Sequence, residues 1–400
     1  MGTSNDEYRD AVLRHQIGVR RFSAGLNKCV AELLEENDRD LVEKLRVRLG
    51  RFKGQEIDFT SKKWKDLIAK ITLERRESLL EAENMITPEL KTLAVMEGAR
   101  EINLLTEAVP IKLSFNEIPD SQLKAIVTEK PFYGHRMKEW FSALSNTDRS
   151  RITRSIQLGM IQGESINNIV RRVAGTRANS FKDGDLSIAR RDARTIVSTA
   201  VNHVSNAARD EVWKENADVV SAKIWTATLD GHTSAICRKN DGKGAPLGSN
   251  KLPDGVLPLD PINSALPAHP NERSVWTGYI DGLQMLGSRP FVLTSRNEKI
   301  DFRKMAREQG ESIKEVRADW AKKHIGEVPA QTNYPEFLKR QAVEFQEDVL
   351  GKTKATLFRK GNLSLDEYVD RVGNEITLKQ LAATKPEAFM RAGLEAEDFL

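Results

Sequence analysis

The sequence predicts a predominantly helical α+β protein with long N-terminal helices, a small central α+β module and a helical C-terminal tail. Apolar residues recur at helical spacing over most of the 400 residues. A short alternating segment at 224–226 interrupts this pattern and indicates a strand, and a loop rich in glycine and proline follows it to Arg273. We therefore expect an N-terminal helical region at 1–110, the α+β module at 111–285 and a C-terminal helical region at 286–400.

The bulk composition disfavours a secreted or membrane-spanning protein. Lysine and arginine total 62 against 58 acids, a net charge of +4, so no polybasic tail is expected. The two cysteines, Cys29 and Cys237, lie far apart, which disfavours a disulfide framework and favours a reducing compartment. No basic head with an apolar run begins the chain, and no run of about 18 apolar residues occurs, so we expect neither signal peptide nor membrane span.

The first region is expected to form four helices. Apolar spacing predicts the first over 7–35, and Asn37-Asp38 is expected to cap a second that ends at Gly50. A third is expected over 60–85. Pro88, at a first-turn position, marks the start of the fourth. Helices of this kind fit antiparallel packing or a partly coiled-coil stalk.

The middle of the chain changes character. A β-branched, proline-bounded segment at 109–118 predicts a strand. A helix is expected from Met137, a further helix is expected to be capped around Asp148, and 163–165 combines a helix stop with a helix start. A long helix capped by Asp185 or Ser187 follows. One face of it carries small residues, which predicts a buried central helix: Ala189, Ala193, Ala200, Ala207 and Ala208.

The most basic stretch of the chain overlaps the start of that long helix. It contains Arg171, Arg172, Arg177, Lys182, Arg190, Arg191 and Arg194. We favour a solvated basic rim, because helices need a polar face. A surface that contacts the phosphates of DNA is the alternative.

The C-terminal quarter predicts helices around 302–320 and a linker over 326–335. An amphipathic helix is expected over 334–350, with a glycine stop at its end. Its aromatic residues Phe337 and Phe345 are expected to dock on another subunit, the alternative being that they pack on the chain's own core.

A cluster of chemically unusual residues lies near the predicted strand. Three of the six histidines and one of the two cysteines fall between His203 and His269. We expect these residues to have structural roles and to bind no metal, because Asp, Thr, Cys, His and Pro can satisfy or fix irregular backbone. The motif comprises Trp225, Asp230, Thr233, Cys237, Pro267, His269, Pro270 and Arg273. Zinc bound by Cys237, His269, His232 and Glu272 is the alternative, although their spacing matches no paired ligand motif.

Known catalytic templates are missing from the sequence. It contains no G-x-S-x-G, no P-loop and no G-x-G-x-x-G that opens a helix after a strand. The aspartates available to a nuclease lie on a loop-rich path without helical pairing: Asp230, Asp241, Asp254 and Asp260. A thiol–imidazole pair of Cys237 with His269 or His232 stays open as an alternative. We expect no catalytic residues.

The order of several motifs resembles the Mu F-like minor head proteins, or head morphogenesis proteins, of tailed bacteriophages. The resemblance covers about 131–279 and rests on Gly134, Trp140, Phe141, 161–165, 194–200, 206–208, Trp225, 230–233, Cys237 and 267–273. The family usually has Asp-x-Arg-Thr, then Cys, then Pro-x-His-Pro-x-Cys-Arg-Cys. Here His232 replaces the usual arginine, and Glu272 and Ser274 stand where the later cysteines fall. This departure weakens any metal assignment.

The resemblance implies a low-copy structural component of the phage head, assembled near the portal vertex and present in the host cytoplasm during assembly. It also implies partners among the portal and other head proteins, and a part in DNA packaging or ejection. Two other classes stay open. One is a metal-dependent nuclease or thiol-based hydrolase that uses Asp230, His232, Cys237 and His269. The other is a DNA-binding accessory protein that uses the basic stretch.

Overall fold

The structure is a computed structural model that describes residues 4–52, 58–109, 113–263, 265–280, 288–295 and 300–400. The predicted fold class is confirmed: the protein is 64% helical, and the described residues form 14 helices and two sheets of three strands each. No helix among them is long and apolar enough to span a bilayer.

Two long helices form the N-terminal region. Helix α1 covers Ser4–Gly50 and helix α2 covers Lys62–Ala108, and each has 47 residues. They pack antiparallel, and the predicted breaks at Asp38 and Pro88 are wrong. An internal proline costs a helix about 3 kcal/mol, but here the adjacent turns carry Ile86 and Leu90, which are buried in the core. That packing offsets the missing backbone hydrogen bond.

A buried arginine explains two of the wrong helix breaks. Arg75 is 1% exposed and donates to Asp38 at 2.5 Å and to Asp148 at 2.6 Å. Arg190 also binds Asp38. Asp38 and Asp148 resemble capping residues in sequence, but in the structure they lie within continuous helices and neutralise Arg75. Their pKa values are raised, because burial outweighs the charge of that arginine.

Four further helices follow the two long ones. They are α3 (Asp120–Glu129), α4 (Met137–Ile161), α5 (Ile166–Ala174) and α6 (Asp185–Glu215). The stop–start prediction before α5 is confirmed, because the Ser165 side chain caps its first turn. The prediction of a strand at 109–118 is wrong for 113–118, which forms neither helix nor strand, and 110–112 lie outside the described residues. Helix α6 contacts α1, α2 and α4, so its prediction as the buried central helix is confirmed.

The central module places an antiparallel sheet against the end of α6. Its elements are β1 (Val220–Thr226), β2 (Leu229–Asp230), α7 (Ala235–Asn240), β3 (Gly244–Pro246) and β4 (Val275–Ile280). The order in the first sheet is β3-β1-β4, and Trp225 on β1 lies opposite Trp276 on β4. Trp213 of α6 packs in the same core as these two tryptophans. The module thus contains the predicted strand around Trp225 and the helix that covers it.

The C-terminal region adds a second sheet and seven helices. Strands β5 (Ser288–Val292) and β6 (Ile325–Pro329) pair with each other, and β5 pairs with β2, in the order β2-β5-β6. The helices are α8 (Phe302–Gln309), α9 (Ile313–His324), α10 (Tyr334–Lys339), α11 (Val343–Leu350), α12 (Lys352–Lys360), α13 (Leu378–Thr384) and α14 (Pro386–Ala392). The predicted linker at 326–335 is wrong in its first half, which is β6. The single helix predicted over 334–350 is two helices.

The docking surface predicted on that helix is also wrong. Phe337 is 0% exposed and contacts Phe291 in a tilted arrangement, at a ring-centroid distance of 5.3 Å, and Phe345 edge-to-face, at 6.0 Å. The phenylalanines therefore build the C-terminal core, which was the alternative interpretation. Phe345 is half-buried at the edge of that core.

Candidate functional site

The site lies where β2 and α7 meet the loop that leads into β4. Asp230 ends β2, and its carboxylate accepts the backbone N–H of His232 at 3.0 Å, which fixes the turn. Thr233 donates its hydroxyl to the Thr228 carbonyl at 2.5 Å. The Ser234 hydroxyl then caps α7 by accepting the N–H of Cys237. Side chains in this turn thus satisfy backbone groups that neither helix nor sheet can pair.

A bidentate ion pair between Arg273 and Asp230 joins this turn to the loop that leads into β4. Arg273 donates to both carboxylate oxygens of Asp230, at 2.5 and 2.8 Å. Burial alone would raise the pKa of Asp230, but the hydrogen bonds and charge of Arg273 hold it below its usual range. Bidentate arginine–carboxylate pairs fix geometry as well as charge. The pair therefore joins two segments that are 43 residues apart.

Three side chains meet beside this pair and form what we call the Cys237 cluster: Cys237, His269 and Glu272. The Cys237 thiol donates to Glu272 Oε2 at 3.0 Å, and its Sγ lies 3.3 Å from His269 Nε2. His269 Nε2 lies 3.0 Å from the same Glu272 oxygen. The other Glu272 oxygen accepts two backbone N–H groups, of Arg273 at 2.8 Å and Ser274 at 2.7 Å.

The electrostatics of the cluster disfavour a nucleophilic thiol. Burial, and then the negative charge of Glu272, raise the pKa of Cys237 well above its ordinary value. Burial opposes ionisation of Glu272, but the hydrogen bond and charge of His269 lower the pKa of Glu272 to about 2. Burial would lower the pKa of His269, yet the bond to Glu272 raises it. A reactive cysteine must be a thiolate, whereas this arrangement pairs histidine with glutamate and leaves the thiol protonated.

The ligand types and distances in the cluster are compatible with a zinc ion. Sγ, Nε2 and Oε2 lie within 4.8 Å of one another. Tetrahedral zinc with bonds of about 2.0–2.3 Å separates its ligands by roughly 3.3–3.6 Å, slightly more than the spacings seen here. A metal would have to displace the proton of Cys237 and any proton on Nε2 of His269, while Nδ1 could keep its proton and donate it to the Pro270 carbonyl. The Ser234 hydroxyl lies 2.9 Å from His269 Nε2 and is an oxygen close enough to be considered for a fourth position.

The remaining residues of the predicted motif lie around the cluster. His232, one of the four residues considered for zinc, is exposed and is not part of the group of close ligand atoms. Pro267 is buried, whereas Pro270 is exposed and its carbonyl lies 2.9 Å from His269 Nδ1. Trp225 is fully buried and packs edge-to-face on Trp276, with ring centroids 5.3 Å apart. Trp225 therefore belongs to the hydrophobic core of the central module.

The four acids considered for a nuclease do not converge. Asp230 is bound to Arg273, and Asp241 is buried against Arg289. Asp260 pairs loosely with Arg371 on the surface, and Asp254 is exposed. Among the described residues, the close ligand group at the Cys237 cluster contains none of them.

Some residues of the basic stretch are bound to a carboxylate, and the others have exposed side chains without such a pair in the described part of the chain. Arg172 is bound to Glu164, and Arg190 to Asp38. The other five predicted DNA contacts have exposed side chains: Arg171, Arg177, Lys182, Arg191 and Arg194. Sequence reasoning missed Phe181, which is 49% exposed in the loop between α5 and α6.

Hydrogen bonds to Asp183 connect the two ends of that loop. The Asp183 carboxylate accepts the backbone N–H and hydroxyl of Thr176, both at 2.7 Å, and the Asn179 amide at 2.8 Å. Ser180 and Phe181 have φ values of 51° and 56°, in the left-handed region that bulky residues rarely adopt. The aromatic ring is thus presented to solvent by a braced turn.

Comparison of the chain with models of protein families, with curated proteins and with solved structures finds no match.

Removal of the Cys237 side chain should have a modest effect. We expect Cys237→Ala to lower the free energy of unfolding by about 1–2 kcal/mol, as for ordinary buried substitutions, because Glu272 keeps its backbone and His269 partners. Urea unfolding measures this, with Cys29→Ala as the matched control. Cys29 is exposed, so its substitution should change stability by less than about 0.5 kcal/mol. Stoichiometric zinc in protein purified without added metal, and absent from His269→Ala, would contradict the structural role.

Proposed function

We propose that this protein is a minor head protein of a tailed bacteriophage that acts in head morphogenesis, associated with the portal inside the head. The observation that carries the proposal is that residues of the separate motifs on which the resemblance rests contact one another in the structure. Asp230, Thr233 and Cys237 come from one segment, His269 and Arg273 from another, and all of them join one interlocked cluster. A resemblance based on scattered motifs gains support when those motifs contact one another in space.

A structural role agrees with the chemistry of the cluster. Its charges are paired, its thiol is protonated and its carboxylates bind backbone groups. Such an arrangement fixes a loop-rich segment and holds β4 in place against β1. The module then serves as a rigid body attached to the long helices.

The outer faces of α1 and α2 are the surfaces we assign to a head partner. Both helices carry exposed apolar side chains that their own packing leaves uncovered. On α2, Leu73 is 53% and Leu80 46% exposed, and they lie seven residues apart on one face. Val47 and Met96 are also exposed on these helices. The portal or another head protein is the proposed partner. Quantification of the chain in heads purified from infected cells tests this proposal.

Contact with DNA is a second candidate function, and the braced loop between α5 and α6 favours it. Exposed arginine and lysine side chains neutralise phosphates, and an exposed aromatic ring can stack on bases or insert between them. Arg177, Phe181 and Lys182 provide both features within six residues. Such contacts would suit a head protein that handles DNA during packaging or ejection.

DNA binding measured at several salt concentrations shows whether these basic residues contact DNA phosphates or only form a solvated surface. Exchange of Arg177, Lys182 and Arg194 together for glutamine should weaken DNA binding and reduce the slope of log K against log salt by about 0.9 for each phosphate that is no longer neutralised. Fluorescence anisotropy with labelled duplex measures both quantities. Arg172→Gln is the control, because Glu164 already binds Arg172, and its slope should match the wild type. Identical slopes for all three proteins, or no binding at low salt, would reject this candidate.

A further inference from the structure

A groove lies between the N-terminal part of α2 and α4, and we call it the α2–α4 groove. Its volume is about 580 Å³. The α2 residues that line it recur at helical spacing from Lys65 to Arg76, a stretch of about 16 Å at the helical rise of about 1.5 Å per residue. Arg149 and Thr153 line it from α4. The groove therefore has the length of about three helical turns.

The floor of this groove is apolar and continuous with a hydrophobic core. Trp64 is 4% exposed and belongs to the core that α1, α2, α4 and α5 share. Phe59 packs edge-to-face on Trp64, with ring centroids 5.0 Å apart. Ile68 is half-buried, whereas Leu73 is 53% exposed. The groove thus presents adjoining apolar side chains to solvent, and exposed apolar patches edged by polar residues mark interaction surfaces.

Two arginines without a carboxylate partner stand at the edges of the groove. Arg76 and Arg149 are exposed, and neither forms an ion pair with a residue that the structure describes. No acidic residue lies three or four positions from either arginine, where a pair within the helix would form. No carboxylate of the described residues lines the groove. Lys65 is close enough to Asp58 for their charges to interact, so the two arginines carry the uncompensated charge.

We propose that the α2–α4 groove binds an acidic amphipathic helix of a partner protein. The apolar floor receives the aliphatic or aromatic side chains of that helix, and Arg76 and Arg149 pair with its carboxylates. Docking of a helix in a groove requires apolar anchors at helical spacing, and complementary charge around them selects the partner. Leu73 belongs to the surface assigned above to a head partner. Only the placement of the acidic helix on a head protein rests on that proposed function.

An acidic helix fits this groove better than nucleic acid does. Phosphates require cations but no apolar surface, so DNA in the groove would cover Ile68 and Leu73 with a charged backbone. Stacking on bases requires an accessible aromatic face. Trp64 is buried in the core of its own chain and does not offer such a face.

The probe for this proposal is a fluorescein-labelled synthetic peptide of about 14 residues, or four helical turns, with leucines on one face and glutamates beside them. A matched peptide carries glutamine in place of each glutamate. Fluorescence anisotropy with the purified full-length chain, at an ionic strength of about 0.15 M, should show saturable binding of the acidic peptide. The glutamine peptide should bind about tenfold more weakly, because it keeps the apolar contacts and loses the charged ones.

Variants of the chain test the assigned residues. Arg76→Glu and Arg149→Glu together should weaken binding of the acidic peptide by at least about tenfold and favour a third peptide with lysine at the glutamate positions. Leu73→Gln should weaken binding of the acidic and glutamine peptides alike. Arg154→Glu is the control, because Arg154 is exposed on α4 but does not line the groove, and binding should stay within about twofold of wild type. Circular dichroism verifies that each variant is folded.

The proposal is overturned if the acidic peptide does not bind saturably, or if it binds the folded double-arginine variant as tightly as wild type. Labelled duplex DNA that binds through Arg76 and Arg149 while the peptide does not would identify a nucleic-acid surface instead. Self-association that is lost in the double variant would identify a second copy of the chain as the occupant. A chain found in heads that fails to bind the peptide would overturn this proposal alone, whereas a chain that binds the peptide but is absent from heads would overturn only the proposed function.

Discussion

Ala200→Glu is expected to unfold the protein. Ala200 is 0% exposed on the face of α6 that packs into the largest apolar core, with Val197, Val201 and Val204 in the same cluster. A glutamate there must either bury a charge, at a cost of several kcal/mol, or force the surrounding helices apart. The loss is expected to reach about 5 kcal/mol, comparable with the whole stability of many domains.

Circular dichroism, soluble yield and urea unfolding measure this effect. Arg191→Glu is the control, because it introduces the same side chain at an exposed position of the same helix and should leave the fold intact. If Ala200→Glu is soluble and unfolds at the wild-type urea concentration, α6 is not the buried centre of the protein.

Arg289→Met is expected to be the second most damaging change. Arg289 is buried and donates to both oxygens of Asp241 at 2.8 Å, and also to the Thr332 carbonyl at 2.8 Å. Asp241 in turn accepts the backbone N–H groups of Ala227 and Tyr334, both at 2.7 Å. The pair thus joins β5 to the central module and to the start of α10. Removal of one partner leaves a buried charge uncompensated, which costs about 3–5 kcal/mol.

Urea unfolding again supplies the measurement, and limited proteolysis shows whether the region from Ser288 onward loosens first. Arg359→Met is the matched control, because Arg359 pairs with Glu347 at a half-buried position at 3.3 Å. Such pairs contribute about 0–1 kcal/mol. Equal, small losses of stability for the two variants would show that the Arg289–Asp241 pair does not hold the C-terminal region in place.

The sequence predicts the elements of this fold well where the signal is local. The Ser165 cap places α5, and residue spacing places α6 and β1, close to their observed positions, although neither Asp185 nor Ser187 caps α6. Two of the errors share one physical origin. Asp38 and Asp148 carry the same local signal as capping residues, but their partner Arg75 lies 37 and 73 residues away in the chain. A buried ion pair of that range leaves no trace in local spacing.

The same limit applies to the candidate site and to the C-terminal aromatic residues. Residue types and their order single out Cys237, His269 and Glu272, and the structure brings these three together but leaves His232 outside. The helical spacing of Phe337 predicts a buried face without saying which surface buries it. The sequence does not single out Arg289, because that arginine forms its contacts through tertiary structure: it lies 48 residues from Asp241.

A low-copy component of a phage head must be present in assembled particles, so its content there is the decisive quantity. Quantitative mass spectrometry should be applied to proheads and virions purified from cells infected with the phage that the proposed function assigns as its source. We expect the chain to co-sediment with particles in amounts comparable with the portal and far below the major capsid protein. Exchange of Leu73 and Leu80 for glutamine should lower this content while the free protein stays folded. Wild-type protein that stays entirely in the soluble fraction, with none in proheads or virions, would contradict the proposed function.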